Sequence, residues 1–441
     1  MRTYRELFRT PQFGPLFATS AVQVAGSTMS GLALGTLVYA ATDSPLLAAL
    51  SMFGSSLAQV LGATVLMSAA DRLPPRAATT GLALAFGLAT AVLAVPGLPL
   101  PVVFAIILAE GVVAAVGGGV RYGLLNEVLP KDGYLLGRSV LNMCSGLMQI
   151  GGFALGGLLV ATLSARGTLL VAAGLYLTGA VVARFGLVRR PPRATGRPSA
   201  AETWRINAVL WSSGPRRRVY LALWVPNGLI VGCESLFVPY SPEHAGLLFG
   251  FAALGMLIGD TVAGRFVARH WRGRLATPLQ LLLAVPYLLF AARPALPLAY
   301  ALAVLASVGF SASLLYQERL MALTPDEYTG QALGLHSSGM LTMQGVAATL
   351  AGAIAQRTSP ATAMTVMAAA SVAVTLALTA AGRRAAGAVG AAGATEAVDS
   401  LAVHGTSEVV DSLAVHGTSE VVDSLAARRA SGAEDSAGPV G

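Results

Sequence analysis

Few side chains in this sequence can hold or pass a proton, and several of those stand inside long apolar stretches: Glu110, Glu234, Asp260 and His336. An ionisable group at membrane depth is costly and marks an ion or substrate path. Burial favours the neutral form of a carboxyl group, so a buried acid can take a proton on one side and release it on the other. Glu234 is the first candidate. Asn227 and Tyr220 stand about two and about four helical turns before it, so at roughly 100° per residue the three share one helix face. Pro226, Gly228, Gly232 and Pro239 flank them, and such residues loosen helices around binding sites. A structural acid hydrogen-bonded to a neighbouring helix is the competing reading.

Glu110 pairs in direction with Arg121, because eleven residues carry a helix about 20° past three turns. At 1.5 Å per residue the two lie roughly 16 Å apart, so they cannot touch. Glu110 can contact a substrate or a proton. Arg121 suits either a substrate or a structural pair with Asp71. A lone histidine such as His336, near the start of a helix, is read as a packing or gate residue despite its useful pKa range.

These groups must be held by membrane helices. Of the 441 residues, 55% are hydrophobic and 11% charged, against roughly 25% charged in a soluble domain. The charges collect between apolar stretches of about 20 residues, the length that crosses a bilayer core. The runs show no alternation, so they are helices rather than barrel strands. Twelve spans are expected near 14–40, 46–69, 77–97, 101–124, 138–163, 168–187, 219–240, 244–264, 276–292, 296–316, 331–355 and 361–381. The expected fold class is therefore an all-α integral membrane protein of twelve transmembrane helices.

The chain also repeats itself. Pro130, Gln149 and Gly157 recur as Pro325, Gln344 and Gly352 at one constant offset. Two matching halves in a membrane chain are the mark of a transporter with a central site between them. The organisation is a six-helix half over 1–188, a linker over 189–218, a second six-helix half over 219–384 and a tail over 385–441. The linker is rich in Arg and Pro, with a short surface helix near 201–206.

The net charge of +8 does not call for nucleic acid, because its positions explain it. Arg2, Arg5, Arg9, Arg72, Arg76, Lys131, Arg138, the linker arginines, Arg265, Arg269, Arg272, Arg274, Arg383 and Arg384 all fall on one side of the expected spans. Only Arg166, Arg293 and Arg357 occupy the other connections. The positive-inside rule then puts both termini and the linker in the cytoplasm. The first apolar run is longer than a signal-peptide core and a second follows at once, so no cleaved leader is expected.

The tail carries Val398–Val409 followed by a second copy from Val410 and a third beginning at Val422. This period matches no stacking unit, so a disordered repeat is expected. His404 and His416 recur with it but lack further metal ligands. Cys144 and Cys233 fall within spans and suit packing, with no disulfide or metal framework. No phosphate-binding Gly-x-x-x-x-Gly-Lys-Ser/Thr loop or catalytic triad is present, so neither an enzyme nor a cofactor is expected.

Arg9-Thr10-Pro11-Gln12-Phe13, Leu37 to Pro45, and Ala70-Asp71-Arg72 resemble the opening of major facilitator superfamily exporters. The drug:proton antiporter group, which includes siderophore exporters, is the nearest in pattern. The resemblance covers nearly all of residues 1–381. The loop motif Gly-x-x-x-Asp-Arg-x-Gly-Arg-Arg keeps Asp71, Arg72 and Arg76, with Met67 and Pro74 at the glycines. Its second copy keeps Gly264 and Arg269, next to Arg265, with Ala268 at the acid. In the family this loop latches the cytoplasmic gate, and Asp260 then fits an ion pair beside Gly264-Arg265. The fourth-helix motif Arg-x-x-Gln-Gly reads Ile107, Glu110 and Gly111 here. The fifth-helix antiporter motif keeps Gly152, Gly156 and Gly157 without its proline. The resemblance implies a cavity lined by helices 1, 4, 7 and 10. Helix 1 offers Ser20, Gln23 and Ser27, and helix 10 offers Ser307 and Ser311 with Tyr316 below.

Together these features lead us to expect a monomeric secondary transporter of the plasma membrane, working by alternating access. Its partners would be protons, lipid and a small molecule. Small hydroxyls among Leu, Val and Met suit an amphipathic cargo better than a sugar. Proton-driven export is the favoured direction. Proton-linked import, or a non-transporting protein that kept the fold, are the alternatives.

Overall fold

The computed structural model of the chain describes residues 4–66, 73–192, 200–325 and 328–385. Among them there are helices and no strands. The spans are α1 Phe13–Thr42, α2 Pro45–Leu66, α3 Pro75–Leu93, α4 Leu100–Val128, α5 Lys131–Leu163 and α6 Ala165–Gly186. The second half holds α7 Gly214–Glu234, α8 Ala245–Arg265, α9 Arg269–Leu288, α10 Leu296–Ala322, α11 Thr329–Arg357 and α12 Pro360–Ala385. Eleven helices among the described residues are long and apolar enough to cross a bilayer, and the apolar segment Pro45–Val60 within α2 fills the remaining place. The expected twelve-span, all-α membrane architecture is the one observed.

Local chemistry sets the ends. Asp43 takes a left-handed conformation at φ 50° and its N–H closes α1 on the Tyr39 carbonyl at 2.8 Å. Pro45 then opens α2, where its missing N–H costs nothing. Pro75 and Pro101 sit likewise in the first turns of α3 and α4. The Ser164 hydroxyl accepts from the Gly167 N–H at 3.2 Å and caps α6.

Three expectations change in detail. The seventh span breaks after Glu234 and resumes as a short helix, Phe237–Tyr240. Pro239 causes this, since it withholds an N–H from the Ser235 carbonyl and crowds it. The tenth span passes through a 3-10 turn at Gly309–Ser311. The ninth starts at Arg269, earlier than its apolar part, because the first turns of a membrane helix project into the charged interface.

The linker is also more ordered than its composition suggests. A helix covers Ala200–Ser212, and α7 begins at Gly214. Trp211 from this helix stacks on Trp224 of α7, with ring centroids 5.5 Å apart. Asn207 accepts a 2.8 Å hydrogen bond from Gln331 of α11. The repeat tail lies outside the described residues, with His404 and His416.

Both halves fall within one compact unit that runs to Leu378. Within the first half α1 packs on α5 and α6, α2 on α4, and α3 on α6. Within the second, α7 packs on α11 and α8 on α10. Across the halves the main pairings are α2 with α11 and α5 with α8, which exchange when the halves are exchanged.

The named cross-half contacts gather at the end remote from the termini, here called the distal end. Ser44 donates to Gln356 Oε1 at 2.7 Å. Phe153 stacks on Phe249 with centroids 4.5 Å apart. A Cβ added at Gly157 would lie 2.5 Å from the Gly246 Cα, and one at Gly352 would lie 2.7 Å from the Leu46 Cα. Only glycine admits backbones this close. The repeated landmark found in the sequence is therefore one repeated packing device.

Candidate functional site: a cavity beneath the closed end

A cavity of about 460 Å³ opens between the halves, lined mainly by α1, α2 and α4, with α11 across from them. Its polar walls are Gln23, Ser27 and Ser30 of α1, Ser51, Ser55, Ser56 and Gln59 of α2, and Gln149 of α5. Leu341 and Gln344 come from α11. Apolar surface comes from Met52, Phe53, Phe86, Ile107 and Phe153. Among the lining residues Glu110 is the one acid and Arg121 the one base.

The α1 hydroxyls share a feature that limits what they can offer. Ser27 donates to the Val24 carbonyl at 2.9 Å, Thr28 to the same carbonyl at 2.6 Å, and Ser30 to Ser27 at 3.2 Å. Ser51 of α2 donates to Ala48 at 2.7 Å. With their protons used on their own helices, these groups present lone pairs to the cavity. Thr90 of α3 reaches Glu110 Oε1 at 3.5 Å. Phe86 and Tyr176, 5.7 Å apart, form the aromatic wall beside it.

The site residues expected from the sequence divide between cavity and core. Gln23, Ser27, Glu110 and Arg121 line the cavity. Ser20 does not, and its hydroxyl is buried against the Leu16 carbonyl. Glu234, Asn227, Tyr220, Ser307 and Ser311 also lie off this cavity. Glu234 is buried at the break of α7, and its Oε1 has no hydrogen-bond partner among the described residues. Asn227 Nδ2 reaches Ser313 of α10 at 3.4 Å, whereas the Tyr220 hydroxyl donates to Ala332 of α11 at 3.3 Å. The single face expected for the three is thus spread over two neighbours, with Pro226 inside the helix between Tyr220 and Asn227. Ser311 donates to Val308 at 2.8 Å, and Ser307 is fully buried. His336 is buried as well, and its carbonyl accepts from Trp224 Nε1 at 3.1 Å.

The gate residues fare differently. Asp71 and Arg72 lie outside the described residues, as does the side chain of Arg269. Arg76 is half-buried in the first turn of α3. Asp260 and Arg265 are both exposed, as is Gly264 beside them. Asp260 follows Gly259 in the helix, and it is the Gly259 side that packs against α10, which turns the acid outward. Ion pairs do form where the sequence showed only scattered charge. Arg190 meets Glu127 at 3.2 Å, and Arg272 of α9 meets Glu318 of α10 at 2.8 Å. Gln149 and Gln344 were missed as site residues, although their equivalence as repeat landmarks was the available signal.

Twelve helices in two exchangeable halves, with a polar cavity between them closed at one end, define a multi-pass transporter. The Major Facilitator Superfamily model matches residues 16–244, and the chain belongs to that family. The lysophospholipid transporter LplT of Yersinia enterocolitica is 24% identical over 217 residues, which cover 45% of this chain and 52% of that protein. The match thus spans about half the length of that relative. Among solved structures, a POT family transporter in complex with a thioalcohol-conjugated peptide is 12% identical, with a TM-score of 0.67 over 84% of this chain and 96% of that one. The nucleoside transporter NupG is 14% identical, with a TM-score of 0.65 over 84% and 99%. A bacterial homolog of the human lysosomal transporter Spinster, inward-facing and unoccupied, is 11% identical, with a TM-score of 0.61 over 86% and 96%. At such identities these structures share the fold.

Proposed function

We propose that this chain exports a small amphipathic molecule across the plasma membrane, driven by protons and by alternating access. The observation that carries the proposal is the composition of the cavity wall. A polar band of Gln149, Gln344, Gln23 and Arg121 stands beside Met52, Phe53, Phe86 and Phe153. Such a wall takes a molecule with one polar and one apolar end. The likeness to a lysophospholipid transporter supports the same class of cargo. Export follows the antiporter pattern around Gly152–Gly157.

Proton coupling is assigned to Glu110 in preference to Glu234. Glu110 stands on the cavity wall, where cargo and proton can compete for one carboxylate. The arginine distribution supports cytoplasmic termini, and on that reading the packed distal end faces outside. Purified protein in proteoliposomes tests the proposal. Lysophospholipid and cationic amphiphile panels should cause proton movement across the membrane that Glu110→Gln removes. Proteoliposomes that move neither cargo nor protons with any amphiphile would instead support the non-transporting alternative.

A further inference from the structure

We infer that Gln280 of α9 is a positioning residue for a hinge at Pro226, and that this hinge sets how the tip of α7 closes the distal end. The inference starts from an orphaned carbonyl. In an unbroken helix the Ala222 carbonyl would accept from the N–H of residue 226, but Pro226 has none. A buried carbonyl without a partner is expensive. The Gln280 side chain fills the vacancy: its Nε2 donates to the Ala222 carbonyl. Gln280 is itself 4% exposed, so it reaches this atom from within the core and not from solvent.

The hinge is held on other sides too. Ser371 donates to the Pro226 carbonyl at 3.3 Å. Asn227, the next residue, meets Ser313 at 3.4 Å. Polar arms from α9, α10 and α12 therefore converge on one turn of α7, around Pro226. Beyond Pro226 and the break after Glu234, the short helix Phe237–Tyr240 packs against α1 and α2 of the opposite half. A small change of angle at Pro226 becomes a displacement of that tip. A donor fixed to the freed, buried carbonyl selects one geometry from those a proline-containing helix can adopt. This holds whatever cargo the cavity takes.

The test is a double-mutant cycle read by distance. Spin labels on Asp43→Cys and Glu243→Cys, exposed on opposite halves at the distal end, report its opening; the native Cys144 and Cys233 are buried. Gln280→Leu should raise the distal-open population roughly tenfold, the worth of one unmet buried acceptor. Pro226→Ala restores the backbone donor, so in that background Gln280→Leu should change the distances no further. A shift of equal size with and without Pro226, or none in either, overturns the inference. If Gln280→Leu yields no folded protein, folding of the Gln280→Leu/Pro226→Ala double variant supports the inference, and its failure to fold overturns it.

Discussion

Gln149 and Gln344 occupy equivalent positions in the two halves and face the same cavity from opposite sides. An amide both donates and accepts, so the pair can clasp one polar group of a cargo from two directions. Gln149→Ala or Gln344→Ala should each cost about 1 kcal/mol of cargo binding, roughly a fivefold rise in KM with kcat nearly kept. The double variant should lose less than the sum, because the remaining amide already holds the cargo less well. Transport kinetics in proteoliposomes decide this. Unchanged KM in both single variants would remove the clasp.

The architecture was legible because membrane length and charge placement leave little freedom. Twelve apolar runs must be helices, and the recurrence of Gln149 as Gln344 and of Gly157 as Gly352 already implied two halves. The site was legible only in part. Glu110, Gln23, Ser27 and Arg121 were found because a charge or amide on a cavity-forming helix has few other uses. Glu234 is singled out in the sequence by its depth in an apolar run, its Pro and Gly neighbours and its shared face with Asn227 and Tyr220, and none of these tells a cavity-facing side from one facing another helix. The sequence pattern also assumes one continuous helix, and this span stops at Glu234 before resuming at Phe237. The Gln280 contact with Ala222 could not be read at all, since it joins helices distant in sequence.

Gly157 meets Gly246 at the closed end, and side chains there would force α5 from α8. Gly157→Val should destabilise the distal-closed form by about 1–3 kcal/mol, as overpacking does. A cysteine at Gln356, whose native side chain holds Ser44 across the same end, should then react faster with a membrane-impermeant thiol reagent added outside. Labelling at the unsubstituted rate would show that the glycine contact does not limit opening.

The arginine distribution puts Arg384 on the same side as the linker. A reporter active only in the cytoplasm should be active when fused after Arg384, and an exported phosphatase at the same point should be silent. The reverse pattern would invert the membrane and place the closed end inside.

The last prediction concerns which acid carries the proton. Glu110 borders the cavity with Thr90 at 3.5 Å, while Glu234 is 8% exposed and sealed among Cys233, Leu236 and Phe237 in the distal core. A proton carrier must meet water on both sides of the cycle, and in this form only Glu110 adjoins the open cavity. Glu110→Gln should abolish transport driven by a pH gradient and leave downhill exchange of cargo measurable, since exchange needs alternation but no net proton movement. Glu234→Gln keeps the size and shape of a carboxyl group that does not border the cavity, so it should leave the pH-driven rate within about twofold, a barrier change of roughly 0.4 kcal/mol. Flux at an imposed pH gradient and at none, measured for both variants at equal protein content, separates the two acids. Loss of the pH-driven component in Glu234→Gln with retention in Glu110→Gln would move the coupling site to the break of α7.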